Sequence, residues 1–476
     1  MRHGVIYLCA IPCHGARMLS PIQMPLWLFL IIAGFALYAA LEKIMLPSVR
    51  WFFRRRMERV VARLNERLDR PIQPFKLARR HDMIQRLIYD PEVSKAIAEY
   101  AAEEGVPENV AFETAQRYAR EIVPSFSASL YFGLAIWLAR LISTSLYRVR
   151  LGHYAEQKLD EVDQDATVVF VMNHRSNMDY VLVTYLAAER SALSYAVGEW
   201  ARVWPLSRLI KAMGAYFIRR KSRGALYRKV LARYVRLATD GGVMQAVFPE
   251  GGLSLDGALA EPKLGILKYI VEGHDPNGRD VVFVPVALNY DRVFEDRILV
   301  AAGQAGERRF RARMSLIAKF LFQQLWLRIR GKYHRFGYAA VSFGAPVSLH
   351  AFAAQGKGDE LVMPLAQELM HRIGQEVPVL PVPLVATALL HADMPLTQTE
   401  LEEAVDALMA RLQNAHVHIP RDDRGYAVEV GLRNLRRRKT AIEQNGRFAV
   451  SGEDRALMEY YAASIAHLFR DCGKMR

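Results

Sequence analysis

The stretch ATVVFVMNHRSNMD, residues 166–179, decides the fold and points to a site. Its apolar half, Thr167–Met172, is rich in β-branched residues and predicts a buried strand that ends near Asn173. His174 and Asp179 follow directly after that strand. A histidine can act as a base, and a carboxylate close by can hold its ring. The five-residue spacing allows this pairing only if His174 lies in the turn and Asp179 in the first turn of the next helix.

The same motif also has a simpler structural interpretation. Ser176, followed three residues later by Asp179, has the form of a capping box. Asp179 would then only cap a helix that continues through Tyr180–Ala188. Taken alone, the motif favours plain capping, because single motif matches are often accidental. The residues downstream change that balance.

Strand and helix patterns alternate through residues 166–290. Gly214–Arg220 predicts a short strand, and Gly224–Thr239 predicts an amphipathic helix with one basic face. Val243–Phe248 and Val281–Leu288 predict two further strands. This alternation is typical of an α/β fold, in which helices cover the faces of a mixed sheet.

Polar groups gather where these strands end, and ligands of such sheets bind at strand ends. Paired glycines let backbone N–H groups approach an anion, although an ordinary turn explains them equally well. Pro285 interrupts the last strand and predicts an edge or a bulge that could line a groove. The residues expected to converge are His174, Asp179, Arg219, Arg220, Gly251, Gly252 and Lys263.

The composition points to anionic partners. Among 476 residues, Lys and Arg number 64 against 49 acids, a net charge of +15. The excess is clustered in Arg50–Arg63, Arg219–Arg236 and Arg308–Arg335. Lipid headgroups, phosphorylated substrates or an acidic carrier protein suit such surfaces, whereas no nucleic-acid-reading motif is present. The three cysteines do not form a zinc pattern, so we expect no metal.

An uncharged segment near the start predicts a membrane anchor. Met18–Leu41 holds 24 residues without a charge, and about 20 apolar residues cross a bilayer as a helix. A cleaved signal peptide is the alternative, with Gly34–Ala36 as a small-residue site. The arginines after the segment favour an anchor whose C-terminal side is cytoplasmic. A second apolar stretch, Pro124–Ala139, is better explained as an interfacial or core helix.

These features divide the chain into five parts. We expect an unstructured leader over residues 1–17 and one transmembrane helix over 18–42. A helical membrane-associated domain follows over 43–145, and an α/β domain over 146–382. Residues 383–476 form a helical C-terminal region, as the helical spacing of Leu401, Val405 and Leu408 indicates.

The order of motifs resembles the glycerolipid acyltransferase family, and most closely its bacterial, membrane-bound glycerol-3-phosphate acyltransferase branch. Four motifs match in register: HRSNMD (174–179), GAYFIRR (214–220), FPEGG (248–252) and VPVALNY (284–290). Each motif is weak alone, and the four together are specific. The similarity extends over about residues 70–410.

The resemblance implies a role for each matching residue. His174 would take the proton of a glycerol hydroxyl that attacks an acyl thioester, with Asp179 supporting the imidazolium. Arg219 and Arg220 would bind the acceptor phosphate, and Lys263 could supply further charge. Glu250, Gly251 and Gly252 would shape the acceptor site, and Pro285 would lie near the thioester or acyl channel. The donor would be acyl-CoA or acyl-acyl carrier protein, without a further cofactor, and the product lysophosphatidic acid. The location implied is the bacterial inner membrane, with the catalytic domain on its cytoplasmic face and anionic lipid as a partner.

The third motif departs from the family pattern. Leu253 and Leu255 stand where that branch usually carries cationic residues, so only Ser254 is kept. Dihydroxyacetone phosphate or lysophosphatidate therefore stay open as acceptors. A catalytically silent membrane scaffold of the same fold is the alternative from a different functional class.

Overall fold

A computed structural model describes residues 5–6, 24–41, 46–187, 192–198, 206–219, 224–306, 326, 330, 334–355, 361–412 and 415–470 of the chain. The chain divides into two compact units, Met1–Leu68 and Asp69–Arg476. In the first unit, strands β1 (Val5–Ile6) and β2 (Met24–Pro25) pair antiparallel. The same unit contains helices α1 (Leu26–Ala40) and α2 (Leu46–Asn65).

The transmembrane helix predicted over residues 18–42 is not found among the residues of that range that the structure describes. Most of these residues form α1, which has 15 residues. No helix among the described residues is long and apolar enough to cross a membrane. Residues 18–23 and 42, like nearly all of the predicted leader, lie outside the described residues.

The second unit is built on a mixed sheet, as the α/β pattern predicts. Among the described residues its strands lie in the order β3-β9-β8-β4-β7-β5-β6, with β10 beside β8. Five neighbouring pairs are parallel, whereas β9 and β10 run antiparallel to β8. The strands are β3 (Arg148–Tyr154), β4 (Thr167–Met172), β5 (Ser194–Gly198), β6 (Tyr216–Ile218), β7 (Gln245–Val247), β8 (Val281–Tyr290), β9 (Tyr338–Phe343) and β10 (Val347–Ser348).

Helices cover both faces of this sheet. Those before residue 310 are α3 (Pro74–Leu77), α4 (Arg80–Ile88), α5 (Pro91–Glu104), α6 (Glu108–Ile122), α7 (Ile136–Leu146), α8 (Glu156–Asp160), α9 (Met178–Leu186), α10 (Leu206–Ala212), α11 (Ala225–Asp240), α12 (Gly265–Val271) and α13 (Asp296–Gln304). A π-helical turn, Leu130–Ala135, leads into α7.

The C-terminal part is mainly helical, as predicted, and adds one hairpin. Its helices are α14 (Leu349–Ala354), α15 (Val362–Gln375), α16 (Pro381–His391), α17 (Gln398–Ala410), α18 (Arg424–Arg437), α19 (Arg455–Ala463) and α20 (Ala466–Arg470). A 3₁₀ turn, Pro420–Asp422, precedes α18. The hairpin consists of β11 (Ala441–Gln444) and β12 (Arg447–Val450).

The alternation of side chains along β4 explains why both faces need cover. Successive residues of a strand point to opposite faces of the sheet. Val168 and Phe170 pack with α9 and the C-terminal helices α16 and α18. Val169 and Val171 pack on the other face with α5, α6 and α11. Both sets are buried, which explains why the sequence of β4 is a continuous run of apolar residues after Thr167.

The structure also bears on the predictions made for Pro285 and for the stretch Pro124–Ala139. The proline in β8 does not mark an edge, because β8 pairs with β4 on one side and with β9 and β10 on the other. Pro285 lies where the antiparallel partner changes from β10 to β9, and its carbonyl accepts a bond from Gly344 N (2.9 Å). A missing N–H is tolerated at such a junction. The stretch Pro124–Ala139 enters α7, which buries Ala139 and leaves Trp137 exposed.

Candidate active site

The predicted histidine and carboxylate form a direct contact at the end of β4. His174 lies in the turn, and helix α9 begins at Met178, so Asp179 is in its first turn. The Nδ1 atom of His174 is 2.9 Å from Oδ2 of Asp179, and the two side chains are 2% and 0% exposed. Because a carboxylate accepts, Nδ1 carries the proton, and Nε2 keeps a lone pair that can take a proton.

Asp179 also organises the turn that carries the histidine. Its Oδ2 accepts the backbone N–H groups of Arg175 (2.8 Å) and Ser176 (3.0 Å). Its Oδ1 accepts the hydroxyl of Tyr290 (2.6 Å), at the end of β8. The capping and catalytic interpretations of the motif are thus compatible, since one carboxylate makes both sets of bonds. Four donors also compensate for burying its charge.

A second carboxylate holds the histidine from the other side. Oε1 of Glu250 accepts the backbone N–H of His174 (3.1 Å). Burial raises the pKa of Glu250 to about 8, while the charge of Arg175 acts in the opposite direction. Its Oε2 is buried without a partner among the described residues. The raised pKa favours the protonated form of this carboxyl group at neutral pH.

The glycine turn brings Lys263 to the same region. Gly251 has a φ of +66°, which favours glycine, and a Cβ there would lie 2.9 Å from Cδ of Lys263. The backbone N–H of Lys263 donates to the carbonyl of Pro249 (2.7 Å), and that of Ser254 donates to the carbonyl of His174 (3.0 Å). The first and third motifs are therefore joined at one end of the sheet, with Gly252 in the same turn.

Aromatic rings enclose the imidazole. The ring of Phe248 stacks on that of His174 with centroids 4.0 Å apart, and Tyr180 meets it edge-on at 5.5 Å. These apolar walls lower the local dielectric, which strengthens the contact between His174 and Asp179. Together with the rest of the turn they leave the imidazole almost no contact with solvent.

The arginine of the second motif does not contact the histidine. Arg219 follows β6, and β7 and β5 separate β6 from β4, so the two strand ends lie about 14 Å apart. Its Nε donates to Oε1 of Glu121 on α6 (2.8 Å), and its Nη2 donates to Oε2 of the same carboxylate (2.5 Å). Tyr118 and Tyr227 flank the guanidinium. A phosphate at Arg219 would share it with Glu121.

Two further features of the expected phosphate site are Arg220 and the leucines of the third motif. Arg220 lies outside the described residues. Leu253 and Leu255, which replace cations of the family pattern, pack against the hydrophobic core. In the part of the chain that the structure describes, no group of three or more His, Cys, Asp or Glu side chains could hold a metal ion.

Three residues around the histidine were not predicted as part of the site. Tyr290 binds Asp179, and Glu295 accepts bonds from Ser176 and Asn177. Arg175 is buried, and its Nη2 donates to the carbonyl of Ser464 (3.1 Å). Tyr290 ends a matching motif, which is a usable signal. For Glu295, 119 residues away from Ser176, the sequence contains no local signal.

Comparisons with known proteins define the class. An acyltransferase family model matches residues 153–289, which include both halves of the histidine site. A second model, the glycerol-3-phosphate acyltransferase C-terminal region, matches residues 323–471. The two models and the curated relatives support a glycerol-3-phosphate acyltransferase-like acyltransferase, in agreement with the resemblance of the four motifs.

Curated relatives carry the more particular name. The chain is 28% identical over 422 residues to a glycerol-3-phosphate acyltransferase of Pseudomonas syringae pv. syringae (strain B728a). It is equally similar to that of Ectopseudomonas mendocina (strain ymp), with 83% of this chain covered in both cases. The chain spans about half the length of these relatives (49%). A crystal structure of the 1-acyl-sn-glycerophosphate acyltransferase from Thermotoga maritima matches 51% of this chain and 77% of its own at 17% identity, with a TM-score of 0.33.

Proposed function

We propose that this protein transfers a fatty acyl group from acyl-CoA or acyl-acyl carrier protein to the 1-hydroxyl of glycerol-3-phosphate, giving lysophosphatidic acid for phospholipid synthesis. The observation that carries the proposal is the buried contact of 2.9 Å between Nδ1 of His174 and Oδ2 of Asp179. Relatives named glycerol-3-phosphate acyltransferase support the choice of acceptor.

The chemistry follows from this tautomer. Nε2 of His174 takes the proton of the acceptor hydroxyl as the oxygen attacks the thioester carbonyl carbon. The imidazolium that forms is stabilised by Asp179, which already accepts its Nδ1 proton. The C–S bond then breaks, and the imidazolium returns the proton to the leaving thiolate. The products are the ester and a free thiol, and base assistance of this kind contributes about 10²–10⁴-fold.

The acceptor phosphate would bind to Lys263 and Arg219. Lys263 lies against Gly251 at the end of β7, and Arg219 lies at the end of β6. A guanidinium matches phosphate oxygens in two-pronged geometry. Because Glu121 already takes two donors of Arg219, the phosphate would use the remaining edge of the guanidinium or displace the carboxylate. Arg220 would add charge beside it.

The proposed location is the cytoplasmic face of the bacterial inner membrane, with anionic lipid as a partner. Exposed apolar side chains of α1, including Trp27 and Phe35, suit a lipid environment. The adjacent α2 carries exposed Arg56, Arg59 and Arg63, which would interact with anionic headgroups. The product of the proposed reaction is itself a membrane lipid.

The test is thiol release by purified protein, with acyl-CoA or acyl-acyl carrier protein as donor. Glycerol-3-phosphate, dihydroxyacetone phosphate and lysophosphatidate are compared as acceptors, and product mass identifies the ester. We expect His174→Ala to lose about 10²–10⁴-fold in kcat. His371→Ala, an exposed histidine on α15, is the matched control and should retain full activity.

Two outcomes would overturn parts of this proposal. Full turnover by His174→Ala would show that another group is the base. Absence of thiol release with every acceptor, while the protein still binds lipid vesicles, would favour the silent scaffold.

A separate variant, Arg219→Ala, should raise KM for glycerol-3-phosphate at least tenfold and leave KM for the donor unchanged. An unchanged acceptor KM would remove Arg219 from the phosphate site.

A further inference from the structure

Glu295 lies against the turn that carries the histidine, although it is distant in sequence. It immediately precedes helix α13 and is 3% exposed. Its Oε2 accepts the hydroxyl of Ser176 (2.8 Å). Its Oε1 accepts both the backbone N–H (2.7 Å) and the side-chain amide of Asn177 (2.8 Å). Both oxygens of one buried carboxylate are therefore occupied by two successive residues of the turn.

These bonds act on the segment that orients His174. Ser176 and Asn177 lie between the histidine and the start of α9, and the hydroxyl of Ser176 accepts the N–H of Met178 (3.1 Å). Burial raises the pKa of Glu295 to about 7, while the bonds from Asn177 and Ser176 act in the opposite direction. Through its three bonds Glu295 limits how the turn can move, as Glu250 does through the backbone N–H of His174.

Glu295 is itself supported by the C-terminal region. Its neighbour Asp296 accepts a bond from Nη2 of Arg438, the residue that follows α18 (2.9 Å), and further bonds join Asp296 to Arg438 and Tyr461. Arg175 donates to the carbonyl of Ser464, which follows α19. Glu295 and Asp296 therefore connect the turn to the C-terminal region, where Arg438 lies 142 residues after Asp296.

We propose that Glu295 is a positioning residue for catalysis, which holds the Ser176–Asn177 turn so that His174 points its Nε2 at the acceptor. This inference rests on the proposed acyltransferase function for its kinetic consequence. Glu295 acts through the turn and does not itself touch the reacting atoms. A misplacement of a reacting group by about 1 Å can cost about 10²-fold in rate, so the effect on turnover is measurable.

The first test compares Glu295→Gln and Glu295→Ala with the wild type. A glutamine keeps one acceptor for Asn177 but offers an amide where Ser176 donates. We expect kcat to fall about tenfold in Glu295→Gln and about 10²-fold in Glu295→Ala, with both KM values within about twofold. Asp454→Asn, which removes a carboxylate bonded to Arg297 nearby, is the control and should stay within about twofold. Equal kcat per folded molecule in Glu295→Gln and wild type would overturn the proposal.

A double-mutant cycle separates positioning from general stability. If Ser176 and Glu295 act through one hydrogen bond, Ser176→Ala combined with Glu295→Gln should be no slower than the slower single variant. Multiplicative losses of kcat would contradict the proposal, because they would show two independent effects. A lower Tm with unchanged kcat and KM would assign Glu295 a structural role only.

Hydrogen exchange gives a readout that does not need activity. In Glu295→Ala, we expect amides of residues 174–180 to exchange about tenfold faster or more, while Asp454→Asn leaves them unchanged. Faster exchange in Glu295→Ala, when the wild type itself shows no acyl transfer, would support the role of Glu295 in holding the turn and contradict the acyltransferase proposal. Unchanged exchange in Glu295→Ala, when the wild type is active, would contradict the role of Glu295 and support the acyltransferase proposal.

Discussion

At the residue scale, three carboxylates hold one short turn. Asp179 binds the imidazole and two backbone N–H groups, Glu250 binds the N–H of His174, and Glu295 binds Ser176 and Asn177. Only the first of these is close in sequence. The pairing of His174 with Asp179 could be predicted because five residues of chain limit their separation. The other two contacts depend on which strands lie side by side.

The buried carboxyl of Glu250 should make stability depend on pH. Burial raises its pKa from the ordinary 4.5 to about 8, so the folded protein keeps a proton that the unfolded chain has lost. Its contribution is full below about pH 4.5 and is lost as pH rises towards 8. Relative to Glu250→Gln, the wild type should lose up to about 1.4 kcal/mol of unfolding free energy per pH unit across this range.

Urea unfolding at pH 5, 6, 7 and 8 measures this difference. Glutamine stays neutral and keeps an acceptor for the N–H of His174, so it reproduces the protonated state. Glu429→Gln, on the exposed side of α18, is the control and should change stability equally at each pH. A difference between wild type and Glu250→Gln that does not vary with pH would contradict the raised pKa.

At the element scale, helices α18 and α16 of the C-terminal region pack closely against each other. Helix α18 crosses α16 at Gly431, where a Cβ would lie 2.6 Å from the carbonyl oxygen of Pro381 and 2.7 Å from Cγ2 of Val385. These atoms cannot move away easily, because Pro381 and Val385 are themselves buried in α16. The apolar spacing of α11 and α17 could be predicted from sequence. The close contact at Gly431 could not, since a glycine in a helical pattern does not reveal its neighbour.

Gly431→Ala should therefore destabilise the protein. Overpacking typically costs about 1–3 kcal/mol, and the better helix propensity of alanine returns about 1 kcal/mol at most. We expect a net loss of about 1–2 kcal/mol, measured as a lower midpoint in urea or heat. Gly265→Ala, in α12 with nothing within 4 Å of its Cβ position, is the control. If both variants unfold at the wild-type midpoint, the packing of α18 on α16 is looser than described.

At the scale of the whole molecule, the C-terminal region packs on the part of the sheet that carries His174. Helices α16, α18 and α19 pack on the same sheet face as α9 and share one hydrophobic core with it. Part of the surplus of positive charge lies in the Met1–Leu68 unit, where α2 carries exposed arginines.

Charge reversal in α2 should weaken binding to anionic vesicles. Each basic residue near such a surface contributes about 1 kcal/mol, so Arg56→Glu with Arg63→Glu should lower partitioning by at least about tenfold. The effect should shrink in 0.5 M salt, because screening shortens the range of the interaction. Co-sedimentation with phosphatidylserine vesicles measures it.

The matched control for this experiment reverses two exposed arginines elsewhere. Arg424→Glu and Arg455→Glu change the net charge equally but lie in the second unit. If the control pair lowers partitioning as much as the α2 pair, overall charge rather than α2 governs binding. Equal partitioning of all variants would exclude an electrostatic contribution of α2.

The sequence by itself determined the local elements: the buried strand Thr167–Met172, the turn with His174, and Asp179 in the next helix. Period and spacing suffice there, because the chain between these groups is short. Only the tertiary structure decided that β8 is internal despite Pro285, and that Arg219 is bound by Glu121. It also decided that Glu295 meets Ser176. These contacts join residues about 100 or more positions apart or depend on strand order, and no local pattern in the sequence encodes either.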